Sequence, residues 1–135
     1  LSKATASGGR SPEVLKYQMR PGSSMDQSCP YLHWWPKKGT TEWVQYDFAK
    51  VETVRKVEIY WFDDTGSGEC RIPVSWRILY KEGDDWKPVE HTTPYEIRKD
   101  QFNTVTFKPV KTSALKLEVG LAPEFSAGIY TWNVE

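Results

Sequence analysis

The sequence predicts an all-β protein, and three observations carry this prediction. Short segments rich in β-branched and aromatic residues recur along the chain between turn residues, whereas helical periodicity is nearly absent. The clearest segments alternate, as where Leu115, Leu117 and Val119 are interleaved with Lys116 and Glu118. The 135 residues suffice for one domain with a sizeable core. Strands this short must pack as face-to-face antiparallel sheets, which predicts a β-sandwich.

Six segments are predicted as strands. The first, Glu42–Phe48, places Trp43 on one face and Val44 and Tyr46 on the other. The remaining five are Arg55–Phe62, Ser75–Lys81, Thr104–Pro109, Ala114–Val119 and Gly128–Val134. Three weaker candidates are Lys3–Ser7, Lys87–Pro88 and Glu96–Ile97. Because they fall within strands, Trp43, Trp76 and Trp132 are expected in the core.

The connections between these strands differ in length. Gly83-Asp84-Asp85, between Tyr80 and Trp86, predicts a hairpin turn, because Gly and Asp tolerate positive φ. Three longer segments have no strand pattern: Gly8–Pro30, Asp63–Pro73 and Glu90–Phe102. Long loops on a compact β-scaffold commonly carry binding residues. We expect Glu90–Phe102 to be only a connection.

Charge and motifs exclude several classes of function. The 18 basic and 18 acidic residues cancel, and no Lys or Arg run indicates nucleic acid or anionic lipid as a partner. No apolar stretch approaches the roughly 20 residues of a membrane span. His33 and His91 are the only histidines, and no nucleophile-and-base motif accompanies them. We therefore expect a protein without catalysis, membrane span or cofactor, whose partner is uncharged or weakly charged.

The two cysteines, Cys29 and Cys70, fit neither a metal-ligand spacing nor a redox motif. A disulfide between them and two free buried thiols are both open, with free thiols the simpler expectation. Cys70 precedes Arg71, which could activate a thiol. A structural cysteine is the favoured interpretation.

Two loop regions supply the residue types that bind sugars. A sugar needs an aromatic platform for its C–H face and planar polar groups for its hydroxyls. Trp34 and Trp35 supply the platform, and His33 is a neutral donor and acceptor. The second region joins a strand end to a glycine-rich loop that lets an arginine fold back over two aspartates. The predicted site is His33, Trp34, Trp35, Trp61, Asp63, Asp64 and Arg71.

Alternatives stand beside each of these assignments. Adjacent tryptophans point in different directions, so at least one of Trp34 and Trp35 should be buried. Asp64 and Arg71 could form only a surface ion pair, which contributes little to stability. Asp63 and Asp64 could in principle be an acid/base pair for glycoside hydrolysis, but a turn-forming and ligand-binding role is favoured.

The order of several motifs resembles the coagulation factor 5/8 type C, or discoidin, domain over essentially the whole chain. The motifs are Ala4-Thr5-Ala6-Ser7, Glu42–Phe48, Val54–Ile59, Trp76–Tyr80 and Ala114–Val119. Further pieces resemble the sandwich domain appended to bacterial glycoside hydrolases, including arabinofuranosidase-like enzymes of gut Bacteroides. They are His33–Thr40, Trp61–Gly66 and Cys70–Trp76.

The resemblance implies a jelly-roll β-sandwich of the galactose-binding-domain type, related to carbohydrate-binding module family 32. Residues 1–135 would be one non-catalytic module of a longer secreted, periplasmic or cell-surface protein. The start at Leu1-Ser2-Lys3, without methionine, agrees with an excised piece. The module would be monomeric, bind a terminal or short glycan, and target or support an attached glycoside hydrolase.

Two other roles compete with sugar binding. A structural accessory domain would pack against its parent catalytic domain without binding sugar. Adhesion to protein or phospholipid head groups, known among discoidin domains, is disfavoured because the chain lacks a basic patch and long hydrophobic spikes.

Many domains of this family hold a structural calcium with an Asp-Gly-Asn loop after the first strand and a glutamate in the last strand. Here the matching loop reads Leu15-Lys16-Tyr17-Gln18, and Thr131 stands where the glutamate is expected. Asp26 and Glu135 remain as possible ligands. With so few anionic oxygens, we predict no structural calcium.

Overall fold

The computed structural model describes residues 2–9 and 12–135, which form seven β-strands and one 3₁₀ helix. The strands are β1 Ser2–Ala6, β2 Leu32–His33, β3 Thr41–Phe62, β4 Ser75–Glu82, β5 Asp85–Pro88, β6 Phe102–Gly120 and β7 Gly128–Val134. The 3₁₀ helix spans Pro12–Lys16 within the predicted loop Gly8–Pro30, of which positions 10 and 11 lie outside the described residues. No helix in the described part of the chain is long and apolar enough to cross a membrane.

Strands β3 and β6 are long and lie side by side. The start of β3 pairs antiparallel with the end of β6, from Thr41↔Gly120 to Asp47↔Ala114. After two register shifts, between Asp47 and Glu52 and between Val54 and Lys56, the rest of β3 pairs with the start of β6 as far as Tyr60↔Phe102. Each strand contains two of the predicted strands, because β3 stays extended through the exposed residues 49–53 and β6 through residues 110–113.

The two halves of β3 belong to opposite layers of the sandwich. The first half pairs with β1, whereas the second half pairs with β7. The layers meet where Tyr46 stacks on Trp132 with ring centroids 4.0 Å apart and donates its hydroxyl to the Trp132 carbonyl at 2.7 Å. The strand order is β2-β7-β3-β6-β4-β5. The predicted antiparallel jelly-roll β-sandwich is confirmed.

The core lies between the layers and contains the alternating residues that the sequence indicates, among them Val57, Ile59, Leu115, Leu117, Trp76 and Trp132. The prediction that Trp43 lies in the core is wrong. This residue is only partly buried, on the outer face of the sheet, where the Lys116 ammonium lies 5.3 Å from its ring centroid. Successive side chains of a strand point to opposite faces, so the burial of Val44 places Trp43 on the outer face.

The shorter connections mostly agree with expectation. Glu82 pairs with Asp85 across the predicted hairpin, with Gly83 at φ 62°. The weak strand candidate Glu96–Ile97 is wrong, since this segment has no strand partner. The Glu96 carbonyl instead accepts a hydrogen bond from the Trp76 indole at 3.0 Å.

A second, smaller apolar cluster lies beside the main core and supports the loops. Its buried members are Tyr60, Phe62, Cys70 and Tyr130, with Cys29, Tyr31 and Phe102 packed against them. The Tyr130 hydroxyl donates to the Asp26 carbonyl at 2.7 Å, which ties the loop before β2 to β7. Both cysteines are free thiols within this cluster.

Candidate functional site

A pocket of about 270 Å³ opens above the smaller cluster. Three chain segments line it: 31–35 around β2, 62–64 at the end of β3, and 68–70 in the loop that follows. The lining residues are Tyr31, His33, Trp35, Phe62, Asp64, Gly68, Glu69 and Cys70. The two regions in which we predicted a site therefore meet in space.

Three larger grooves, of about 400, 420 and 330 Å³, lie elsewhere on the surface, and the lining of the last contains no aromatic side chain. Of the aromatic side chains of the first, Tyr46 and Trp132 are buried, and Phe48 is partly buried and packed against the core. The lysines of the second, Lys87 and Lys108, face Glu82 and Glu90. We therefore choose the smaller pocket, because it combines an exposed aromatic ring with polar groups that have open positions.

Segment 31–35 supplies one wall because its side chains alternate. Leu32 and Trp34 point into the core, while Tyr31, His33 and Trp35 line the pocket. Pairing of β2 with β7, through Leu32↔Ile129 and His33↔Gly128, fixes this orientation.

The aromatic groups of the pocket are well positioned. Tyr31 stacks on Phe62 with centroids 3.8 Å apart and planes 11° apart, forming the floor. Trp35 is 55% exposed, so its ring is available to a ligand. The Nδ1 atom of His33 is buried and has no hydrogen-bond partner among the described residues. Such an unpartnered polar atom is costly unless a water or ligand satisfies it.

The prediction that Trp34 and Trp61 bind ligand is wrong, because both residues belong to the core. Their exposed fractions are 1% and 0%. Trp61 packs edge-on against Trp76 at 5.8 Å, and the Trp34 amide donates to the Ala127 carbonyl at 3.0 Å. The expectation that one of the adjacent tryptophans is buried is confirmed.

The prediction that Asp63 binds ligand is also wrong, because its side chain instead organises the loop that follows β3. Asp63 is buried, and its carboxylate accepts hydrogen bonds from the Thr65 amide and hydroxyl and from the Ile72 amide. Burial opposes ionisation, but these hydrogen bonds outweigh it and lower the pKa of Asp63. The carboxylate thus holds both ends of the loop and does not line the pocket.

Asp64 and Arg71 lie together, although only Asp64 lines the pocket. Arg71 Nη1 is 3.7 Å from Asp64 Oδ1 and donates to the Gly68 and Cys70 carbonyls, each at 2.9 Å. Its guanidinium also lies 4.3 Å from the Phe125 ring centroid. Arg71 therefore folds back onto Asp64, as expected. Asp63 instead faces Lys99, whose Nζ lies 3.8 Å from Asp63 Oδ1.

The side chain of Cys70 forms part of the pocket wall, and its surroundings favour the protonated thiol. Burial, and then the charge of Asp64, raise its pKa from the ordinary 9.0 to about 12. The Arg71 guanidinium lowers the pKa, but by less. This opposes the alternative of an activated thiol.

We expect Cys70 in a Cys29→Ser variant to react very slowly with a thiol reagent at pH 8, because almost no thiolate is present in the folded protein. The same reaction in urea should be fast. The contribution of Cys70 to stability should be constant below pH 9 and fall between pH 9 and 12, where the unfolded chain loses a proton that the folded one retains. Rapid labelling of the folded protein at pH 8 would contradict this.

The residues at which the sequence resemblance would place a structural calcium make direct contacts with one another or with their neighbours. The Thr131 hydroxyl donates to the Leu15 carbonyl at 3.0 Å, and both residues are fully buried. The Asp26 carboxylate accepts hydrogen bonds from the Gly22 and Ser28 amides, and the Glu135 carboxylate forms an ion pair with Lys56. Among residues 2–9 and 12–135, no three His, Cys, Asp or Glu side chains are grouped to hold a metal ion. These residues do not fit an oxygen cage, and the absence of structural calcium stays a prediction.

We expect Thr131→Val to destabilise the protein by about 1–3 kcal/mol, because it removes the donor to a buried carbonyl without changing volume. Urea denaturation measures this. Thr104→Val, at an exposed position of β6, is the matched control. Calcium and EDTA should each leave the wild-type melting temperature unchanged, and a marked rise with calcium would show that a cage does form.

Five residues that line the pocket are absent from the predicted site: Tyr31, Phe62, Gly68, Glu69 and Cys70. Tyr31 had a usable signal, since it continues the alternation of His33 and Trp35 by two residues. The other four had none, because their places depend on how the loop after β3 folds over the smaller cluster.

The fold and this pocket define a class of protein, a β-sandwich with a pocket formed by its loops. The F5/8 type C domain family model matches residues 5–128, and the chain belongs to this family.

Solved structures with the same fold come from bacterial proteins. One, of the Streptococcus pneumoniae β-galactosidase BgaA, has a TM-score of 0.79 at 14% identity, covering 99% of this chain and 90% of that one. The Clostridium perfringens module CpGH89CBM32-5, in complex with GalNAc-β-1,3-galactose, has a TM-score of 0.70 at 13% identity, with coverages of 98% and 94%. The family 32 module of C. perfringens NanJ, in complex with galactose, has a TM-score of 0.64 at 17% identity, with coverages of 98% and 92%.

Proposed function

We propose that this protein is a non-catalytic carbohydrate-binding module and that its pocket holds a terminal or short glycan. The observation that carries the proposal is the exposed Trp35 ring beside His33 and Asp64 in one pocket. The ring offers an apolar face for the C–H side of a sugar. Asp64 and His33 supply polar atoms for its hydroxyls. The pocket is small enough to favour one or two sugar units over a long chain.

Two of the structural neighbours support this proposal, because they are family 32 modules that hold galactose or a galactose-containing disaccharide. We further propose that residues 1–135 are one module of a longer, secreted or surface-attached protein and that the module acts as a monomer. Its role would be to keep an attached glycoside hydrolase near its substrate. Tethering gives useful avidity even when binding of one short sugar is weak.

A glycan array followed by NMR-monitored titration tests the binding proposal. We expect ligand-induced shifts in Tyr31, His33, Trp35 and Asp64 and none around the groove at Tyr46 and Trp132. Failure of every glycan to bind, or shifts confined to another face, would refute it.

Packing against a parent domain is the second candidate, and the outer sheet face that carries Trp43 and Trp86 favours it. There the Lys116 ammonium lies between Trp43 and Trp86, 5.3 and 4.4 Å from their ring centroids. Trp43→Ser with Trp86→Ser in the full-length protein separates the two roles. Loss of stability with retained glycan adhesion would favour packing, whereas an unchanged melting temperature would exclude packing through this face.

A further inference from the structure

We infer that the pocket prefers sugars that carry a free, protonated amino group over their neutral counterparts and rejects sugars that carry a carboxylate. This inference rests on the proposed function and concerns the same pocket. It follows from which charged groups form the wall, which are held outside it, and which oxygen is left without a partner.

Both charged side chains that line the pocket are carboxylates, Asp64 and Glu69. Their basic neighbours lie outside the lining. Arg71 is bound to two backbone carbonyls and stacked on Phe125. Lys38 Nζ lies 3.2 Å from Glu69 Oε2 in an ion pair whose side chains are 34% and 51% exposed, so solvent weakens the attraction. A ligand in the pocket therefore contacts carboxylate groups and no cationic side chain of the lining.

Asp64 is the more buried of the two anionic groups. Its side chain is only 18% exposed, so its charge is less screened than that of a surface carboxylate. Oδ1 accepts the Cys70 amide at 2.8 Å and faces Arg71. Within the described residues, Oδ2 accepts no hydrogen bond. Asp64 Oδ2 is 2.2 Å from the place that a Cβ atom on residue 68 would take. Any residue other than glycine at position 68 would therefore displace the carboxylate.

A ligand ammonium would donate a charge-assisted hydrogen bond to this open carboxylate oxygen, which is stronger than one from a neutral hydroxyl. A ligand carboxylate would be repelled and would leave the oxygen without a donor. We expect an amino sugar to bind about tenfold more tightly than its neutral counterpart. The corresponding uronate should bind more weakly still.

The test uses two matched series, galactose, galactosamine and galacturonate, and glucose, glucosamine and glucuronate, titrated by NMR into the wild-type protein at low and high salt. Asp64→Asn keeps the side-chain shape but removes the charge, and it should reduce the ratio of amino-sugar to neutral-sugar affinity to near one. Asp84→Asn, in the exposed hairpin turn, is the control and should leave that ratio unchanged. High salt should reduce the ratio.

The outcomes separate the inference from the proposed function. Equal affinities for all members of a series, or a ratio that persists in Asp64→Asn, would overturn the amino-sugar preference while leaving sugar binding intact. Tighter binding of the uronates would overturn it as well. If no sugar in either series binds and the glycan array is also blank, the proposed function and the inference fail together.

Discussion

Trp35→Ala is expected to abolish detectable glycan binding while leaving the melting temperature almost unchanged. Removing a central aromatic contact commonly costs about 2 kcal/mol or more of binding free energy, a loss of roughly 30-fold. Because the expected affinity for a short sugar is already weak, that loss should place binding below detection. The fold should tolerate the change, since the ring is 55% exposed and lies outside both apolar clusters.

Isothermal titration calorimetry with the best glycan from the array measures the loss, and differential scanning calorimetry measures stability. Tyr17→Ala is a suitable control, because Tyr17 is 61% exposed but is not part of the pocket. Binding by Trp35→Ala within threefold of wild type would remove Trp35 from the site and, with it, the main support for the proposed function.

Trp34→Ala, one position earlier, should have the opposite effect. We expect it to lower the free energy of unfolding by about 3–5 kcal/mol, because a fully buried indole leaves a cavity in the main core. A domain of this size is commonly stable by only about 5–15 kcal/mol, so much of the protein should be unfolded well below the wild-type melting temperature.

Urea denaturation of Trp34→Ala and of Trp34→Phe tests this prediction. Phenylalanine keeps most of the apolar volume and should recover a large part of the stability. A loss below about 1 kcal/mol for the alanine variant would mean that the Trp34 ring is not buried in the folded protein. The contrast between adjacent tryptophans is then a test of the side-chain alternation itself.

Alternation predicted most of the sandwich but not its longest strands. The core sides of the segments around Val44, Ile59 and Leu117 were clear because burial on one face imposes a period of two. The exposed segment 49–53 carries no such pattern, so the sequence gives no sign that β3 continues through it. Within this segment only Glu52 and Thr53 pair with β6, and such pairing is a property of the tertiary fold.

For the candidate site, the sequence indicated the right regions but not the right side chains. Trp34 and Asp63 are of types that bind sugars, yet pairing of β2 turns the first inward, and the amides of Thr65 and Ile72 occupy the second. Composition names residues that could bind, whereas the direction of each side chain depends on its neighbours in space. Tyr31 illustrates the reverse case, since its stacking on Phe62 joins residues far apart in the sequence.

The unequal burial of the tryptophans gives the protein an internal optical probe. Trp35 is the most exposed tryptophan in the described part of the chain, Trp43 and Trp86 are partly buried, and Trp34, Trp61, Trp76 and Trp132 are screened from water. A soluble collisional quencher should therefore act first on the emission of Trp35, and a bound ligand should protect that emission. Fluorescence of the unlabelled protein can thus report occupancy of the pocket without any attached dye.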